Sequence, residues 1–313
     1  MPVIETKPVQ PPLFFNHDGA IDDLVALVLL LTLSQYRVSG IAVSPGCYVP
    51  PCGVQATLRI LDLFCRHDVE VVSTSAVESN PFPEEWCITT SKICNELLAE
   101  RKPNEKQLVE EDPLDFTYRK LIAEEQKTTV VLTGPATHFA AVLEKYPEVK
   151  DKIDRILWVA GAFYADGNVL VPDHDGSAEW NIYRDPQAAV NLLAASLPVY
   201  LFPVDAAKHL PVDQFMLYHL EKNSDKALSR VVGSLLEPAC KTCGKYLIYD
   251  VLPMVYLGRP DLFQFESKSV NIELRGTSTG NIYRNTMGYP IKQGSVSDEE
   301  EYVSFILRQL KQF

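Results

Sequence analysis

Leu13-Phe14-Phe15-Asn16-His17-Asp18-Gly19-Ala20-Ile21-Asp22-Asp23-Leu24-Val25-Ala26-Leu27-Val28-Leu29-Leu30 reads without a break as an apolar strand, an acidic turn and an apolar helix. Leu13 to Asn16 shows no apolar–polar alternation, which suits a strand covered on both faces. Asp22 to Tyr36 reads as a helix opened by acids, and acids favour a helix N-terminus. Outward from this unit the same grammar repeats. Strands are expected at Val38 to Ser44, Val69 to Ser73, Thr128 to Thr133, Arg155 to Ala160 and Val199 to Val204. Helices are expected at Gly53 to Arg66, Phe116 to Glu125, Ala136 to Glu144 and Pro186 to Ala195, with a long loop between Ser73 and Phe116. Several helices fill Pro211 to Leu257, Ser267 to Arg284 alternates like a late hairpin, and Ser297 to Gln312 is a helix opened by Ser-Asp-Glu-Glu. Strands alternating with crossover helices predict an α/β fold: an open, mostly parallel, Rossmann-like sheet with helices on both faces.

One domain is expected over residues 1–313, with Met1 to Pro12, polar and proline-rich, as a flexible N-terminus. With 29 Lys+Arg against 41 Asp+Glu the net charge is −12, which argues against a nucleic-acid backbone as the main partner. At 46% hydrophobic and 22% charged residues the chain can bury a large core. The longest apolar run, Leu24 to Leu33, is too short to cross a bilayer, so no membrane association and a cytoplasmic location are expected. Seven scattered cysteines (47, 52, 65, 87, 94, 240, 243) fit a reducing compartment, and Cys240-Lys-Thr-Cys243 stands without the second pair that a zinc site needs.

In open parallel sheets ligands sit beyond the carboxyl ends of the strands. Asp18, Asp22 and Asp23 lie at such an end, three carboxylates within six residues. Their mutual repulsion calls for something positive, and a hard divalent cation is the simplest remedy. The plainer alternative is that Asp22 and Asp23 merely complement the helix dipole.

The Asp18-Gly19-x-x-Asp22-Asp23 signature resembles the first motif of the nucleoside hydrolases, enzymes that cleave the N-glycosidic bond of ribonucleosides with a bound Ca²⁺. Asn80-Pro-Phe-Pro-Glu-Glu-Trp86, Leu132-Thr-Gly-Pro-Ala-Thr137, Gly167-Asn168-Val169, Ala178-Glu-Trp-Asn-Ile-Tyr183-x-Asp185-Pro186 and Tyr249-Asp250 recur in that family's order, so the likeness spans residues 13 to 257. The His-Asp-Gly form of the first motif, the Asn-Pro-Phe-Pro loop and the Glu-Trp-Asn-Ile-Tyr block look most like the purine-preferring branch. The resemblance implies that Asp18 touches the metal and acts as general base toward its water, with Asp23, the Thr133 carbonyl and Asp250 as further ligands. It implies ribose binding by Asp22, Asn168, Glu179 and Asn181, where amides and carboxylates match sugar hydroxyls. Trp86 and Tyr249 would stack the base, easing its departure with a proton from solvent, and a homodimer or homotetramer is the implied assembly. Among the histidines, His174 sits before Glu179 where it could approach the base, and His209 follows a strand, whereas His17 flanks the acidic turn.

Three departures stand out: Asn16 where the family usually has Asp, Cys47 where relatives carry an acid, and Tyr249 in place of Trp. They motivate a second expectation, a nucleoside-binding homologue with weakened or lost turnover. A metal-dependent phosphohydrolase ranks third, because the sequence shows no Lys or Arg beside the acidic cluster and no Gly-x-x-x-x-Gly-Lys.

Overall fold

Apolar strands that alternate with longer helices build one sheet here, seen in a computed structural model that describes residues 10–46, 52–75, 78–164, 166–208, 210–244 and 246–312. Cys47, His209 and the side chain of Cys243 lie outside the described residues. In chain order the first half comprises β1 (Pro12–His17), α1 (Ile21–Thr32), β2 (Arg37–Val43), α2 (Cys52–Leu63), β3 (Val71–Ser73), α3 (Glu84–Glu96), α4 (Pro113–Ile122), β4 (Thr128–Leu132), α5 (Thr137–Lys145) and β5 (Ile153–Val159). The second half comprises α6 (Trp180–Arg184), α7 (Pro186–Ala194), β6 (Val199–Phe202), β7 (Pro211–Val212), α8 (Gln214–Lys222), α9 (Ala227–Cys243), β8 (Tyr246–Leu247), α10 (Leu252–Gly258), β9 (Phe263–Ile272), β10 (Ile282–Arg284), β11 (Tyr289–Val296) and α11 (Glu299–Gln309).

Among the described residues nine strands form one sheet in the order β10-β9-β11-β6-β5-β4-β1-β2-β3, and β7 pairs with β8 apart from it. From β3 to β6, and on to β11, every pairing is parallel; β9 runs antiparallel to both β10 and β11. The expected α/β class with a mostly parallel sheet is what the chain adopts. Along β1, Leu13 and Phe15 join the core on one side of the sheet and Phe14 joins the core on the other, which is why the strand reads as apolar without alternation. No helix among the described residues is long and apolar enough to cross a membrane.

Three expectations need correction. The segment between Ser73 and Phe116 is not all loop, because α3 occupies Glu84–Glu96. Its low apolar content and the prolines before it hide the helix, yet Glu84 and Glu85 occupy the first turn and Cys87, Ser91 and Cys94 form a buried inner face. The late hairpin is β9 with β10, but it is tied to the main sheet through β11, whose Tyr-Pro-Ile-Lys-Gln-Gly-Ser-Val lacks strand periodicity. Pro12, expected in the flexible N-terminus, instead opens β1, and residues 1–9 of that segment lie outside the described residues.

Chain direction across the sheet decides where a site can form. From β1 the chain moves outward through β2 and β3, then returns to β4 on the other side of β1 and continues through β5 and β6. The switch point therefore falls between β1 and β4, where loops leave in opposite directions and open a crevice.

Candidate active site

The crevice holds a cavity of about 740 Å³, lined at strand ends by Asp18, Val43 to Gly46, Ser73, Thr133 and Val159. Gly19 follows Asp18 with φ +78°, and a Cβ there would stand 3.0 Å from the Cα of Gly53, so only glycine lets α1 begin directly after the strand. His17 sets the same turn from behind. Its Nδ1 accepts the Gly19 N–H at 3.1 Å, so Nε2 carries the proton and donates to Thr57 Oγ1 at 3.2 Å. Complete burial lowers its pKa to about 3, which keeps the ring neutral.

Four aspartates meet here. Asp18, Asp22 and Asp250 line the cavity and Asp23 lies behind them, all buried. Asp18 stands against Asp23, and Asp22 against Asp250, so the carboxyl groups face one another in pairs. Burial, then the neighbouring carboxylates, drives Asp23 and Asp250 well above the usual carboxylate range; burial also lifts Asp22 to about 6. Asp23 also serves the plainer role, since Oδ2 accepts the Ala20 N–H at 2.8 Å and Oδ1 accepts the Thr133 hydroxyl. Asp250, in a short 3-10 turn before α10, is buried as its apolar neighbours implied.

The donors are chemically suited to a hard divalent cation, because every candidate offers oxygen. A further oxygen points the same way. Asn16, the penultimate residue of β1, donates Nδ2 to the Ala42 carbonyl and Ser44 Oγ, both at 3.1 Å, and leaves its buried Oδ1 without a donor. The Thr133 carbonyl already accepts Asn181 Nδ2 at 3.2 Å, which leaves one of its two lone pairs. Among the described residues no three acidic, histidine or cysteine side chains converge as a ligand set, and one oxygen of Asp18 is taken by an arginine.

That arginine is Arg184, the last residue of α6, which sequence reading passed over. It is 2% exposed, with Nη1 3.0 Å from Asp18 Oδ2 and Nη2 3.1 Å from Glu78 Oε2. The expectation that no Arg or Lys stands beside the acidic cluster is therefore corrected. A single arginine on a short helix reads as surface, and its 166-residue separation from Asp18 is invisible to local pattern.

The opposite wall carries Asn168, Glu179 and Asn181, all lining the cavity. Glu179 caps α6: Oε1 accepts the Asn181 N–H at 2.8 Å, and Oε2 accepts the N–H of Gly161 at 3.0 Å and of Ile182 at 3.3 Å. Burial nevertheless lifts its pKa to about 7 against those three donors. Asn168 Oδ1 accepts the Trp180 N–H, and Asn181 holds the ends of β4 and β5 through the Thr133 and Val159 carbonyls.

Above them stands an aromatic wall. Trp86 lies in the first turn of α3, 44% exposed, with its ring 6.1 Å from Phe82 and 5.4 Å from Trp180. Tyr249 lines the same cavity, and Tyr246, also missed, donates its hydroxyl to Asp22 Oδ1 at 3.3 Å. Trp180 and Phe82 were within quoted motifs without a role; their aromatic character was the available signal. His174 does not approach the cavity. Its Nε2 bonds the Thr279 carbonyl and its Nδ1 accepts the Gly176 N–H, which pins it in its own loop.

Known proteins share this fold. The inosine-uridine preferring nucleoside hydrolase of Bacillus anthracis superimposes with a TM-score of 0.88 at 27% identity, covering 97% of this chain and 100% of that one. The purine-preferring ribonucleoside hydrolase of Gardnerella vaginalis has the same fold, with a TM-score of 0.80 at 20% identity over 96% of this chain and 98% of that one. The pyrimidine-specific ribonucleoside hydrolase RihA of Salmonella paratyphi B is 28% identical over 280 residues, 86% of each chain. Residues 13–307, from the first strand to within the last helix, match the sequence profile of the inosine-uridine preferring nucleoside hydrolases, and the chain belongs to that family.

Proposed function

We propose that the chain hydrolyses the N-glycosidic bond of ribonucleosides, consuming water and releasing the free base and ribose, with purines favoured. The observation that carries this reading is a single cavity with carboxylates and amides on its floor and indole rings on its wall, matching a polyol joined to a flat heterocycle.

In this reading Asp18, Asp23, the Thr133 carbonyl and Asp250 hold a Ca²⁺ ion, which supplies Lewis acidity and orients water when bound. Asp18 takes the proton of the attacking water. Asp22, Asn168, Glu179 and Asn181 bind the ribose hydroxyls, and the carboxylates around the sugar favour the cationic character that it gains as the bond breaks. Trp86 and Tyr249 hold the base, joined by Phe82 and Trp180. Purine preference rests on the extent of that wall. Release of base and reducing sugar from inosine, adenosine and uridine in the presence of Ca²⁺ tests the activity: no release from any of the three discards it, and faster uridine turnover overturns the preference.

The contact of Arg184 with Asp18 favours a second reading, a nucleoside-binding homologue with little turnover. Calorimetric binding of inosine without hydrolysis over long incubation selects it.

A further inference from the structure

Arg184 is enclosed on every side. Nη1 bonds Asp18 Oδ2, Nη2 bonds Glu78 Oε2 and the Pro45 carbonyl at 2.9 Å, and the guanidinium carbon lies 4.3 Å from the centre of the Phe82 ring. The Arg184 carbonyl accepts the N–H groups of Ser79 and Asn80, so the segment carrying Glu78 and Phe82 is bound to this residue through both main chain and side chain. Such burial is tolerated only because the charge is paired on two sides. Among the described residues, no other Lys or Arg forms an ion pair with Asp18, Asp22, Asp23 or Asp250.

We propose that Arg184 is a built-in counter-cation, which neutralises Asp18 when no metal is bound and competes with a divalent ion for that carboxylate. This rests on the cation site named under the proposed function. The physical reason is Coulombic. An ion that draws on Asp18 must share the carboxylate with a fixed positive charge in a poorly solvated pocket, and the repulsion at an effective dielectric of about 20 lowers affinity by about tenfold or more. Glu78 sets the strength of the effect, because it offsets the same guanidinium from the far side. The cation site is accordingly weaker than its three carboxylates, Asp18, Asp23 and Asp250, suggest.

The two flanking groups make predictions of opposite sign. In calorimetric titration of the chelator-stripped full chain with Ca²⁺ alone, Arg184→Met is expected to bind about tenfold tighter than wild type. Glu78→Gln, which leaves the guanidinium less balanced, is expected to bind about threefold or more weaker. General damage to the pocket would weaken both. Unchanged or weaker binding by Arg184→Met overturns the proposal; should that variant fail to fold, unchanged or tighter binding by Glu78→Gln overturns it. Ca²⁺ binding of equal affinity in all three proteins removes only the counter-cation. If no protein gives heat with Ca²⁺, the cation site itself falls and takes this inference with it.

Discussion

Asp18 has one oxygen on Arg184 and the other 3.3 Å from the Ala20 N–H, so its orientation is set before any ligand arrives. As the proposed base, its truncation in Asp18→Ala should lower kcat for inosine by about 10³-fold or more, read as release of reducing sugar. Near-normal kcat would remove Asp18 from that role. Trp86, half exposed at the cavity mouth, should contribute through stacking, about 1–3 kcal/mol per base in comparable settings. Trp86→Ala is therefore expected to raise KM for inosine about tenfold while Trp86→Phe recovers most of it, and equal KM values for all three would show that the ring does not meet the base. His138 tests a different residue-scale effect. It is buried with Nε2 2.8 Å from Thr117 Oγ1, and burial lowers its pKa from 6.5 to about 4. The fold thus prefers the neutral ring: that contribution is fully present above about pH 6.5 and is lost as pH falls toward 4, a difference of up to about 3 kcal/mol. His138→Gln should flatten the fall in urea-unfolding stability between pH 6.5 and 4, and an unchanged slope would contradict the burial argument.

At the scale of elements, the floor of the cavity depends on how two segments approach each other. The N–H groups of Asn168 and Val169 both donate to the Ala178 carbonyl, at 3.0 and 3.2 Å, which places Asn168 beside the Glu179 cap of α6. A Cβ on Gly167 would stand 1.9 Å from that carbonyl oxygen, so even alanine must push the two segments apart. Gly167→Ala is expected to cost about 1–3 kcal/mol of stability and to raise KM more than it lowers kcat. Wild-type melting and kinetics would mean that the loop yields without disturbing the site. The short α6 concentrates several tasks in one turn: Glu179 caps it, Asn181 joins the ends of β4 and β5, and Arg184 reaches Asp18 in the turn after β1. Such density explains why the Glu-Trp-Asn-Ile-Tyr block was readable as a motif, although its caps and contacts were not.

For the whole molecule, the acidic cluster makes metal removal the informative perturbation. Binding of the proposed Ca²⁺ would stabilise the folded state by mass action, so the chelator-treated protein should remain folded but melt a few degrees lower than the Ca²⁺-saturated protein. Identical melting curves with and without millimolar Ca²⁺ would argue against the proposed ion. The strands of the central sheet, from β1 to β6, and the acidic turn were legible in the sequence because each is written in contiguous residues: an unbroken apolar run for a strand buried on both faces, a glycine between a carboxylate and a helix, acids in a first turn. The helix α3 and strand β11 were not legible, since their apolar faces exist only against neighbours supplied by other parts of the chain. At the site, individual carboxylates and amides could be named from their motifs, but their partners could not. Whether a charged side chain is exposed, capped or paired depends on what is folded against it. Local pattern thus determined strands β1 to β6 and their carboxyl-end rim, while only tertiary structure decided that Arg184 would be sealed against Asp18, because the burial of a charge is settled by contacts 166 residues apart in sequence.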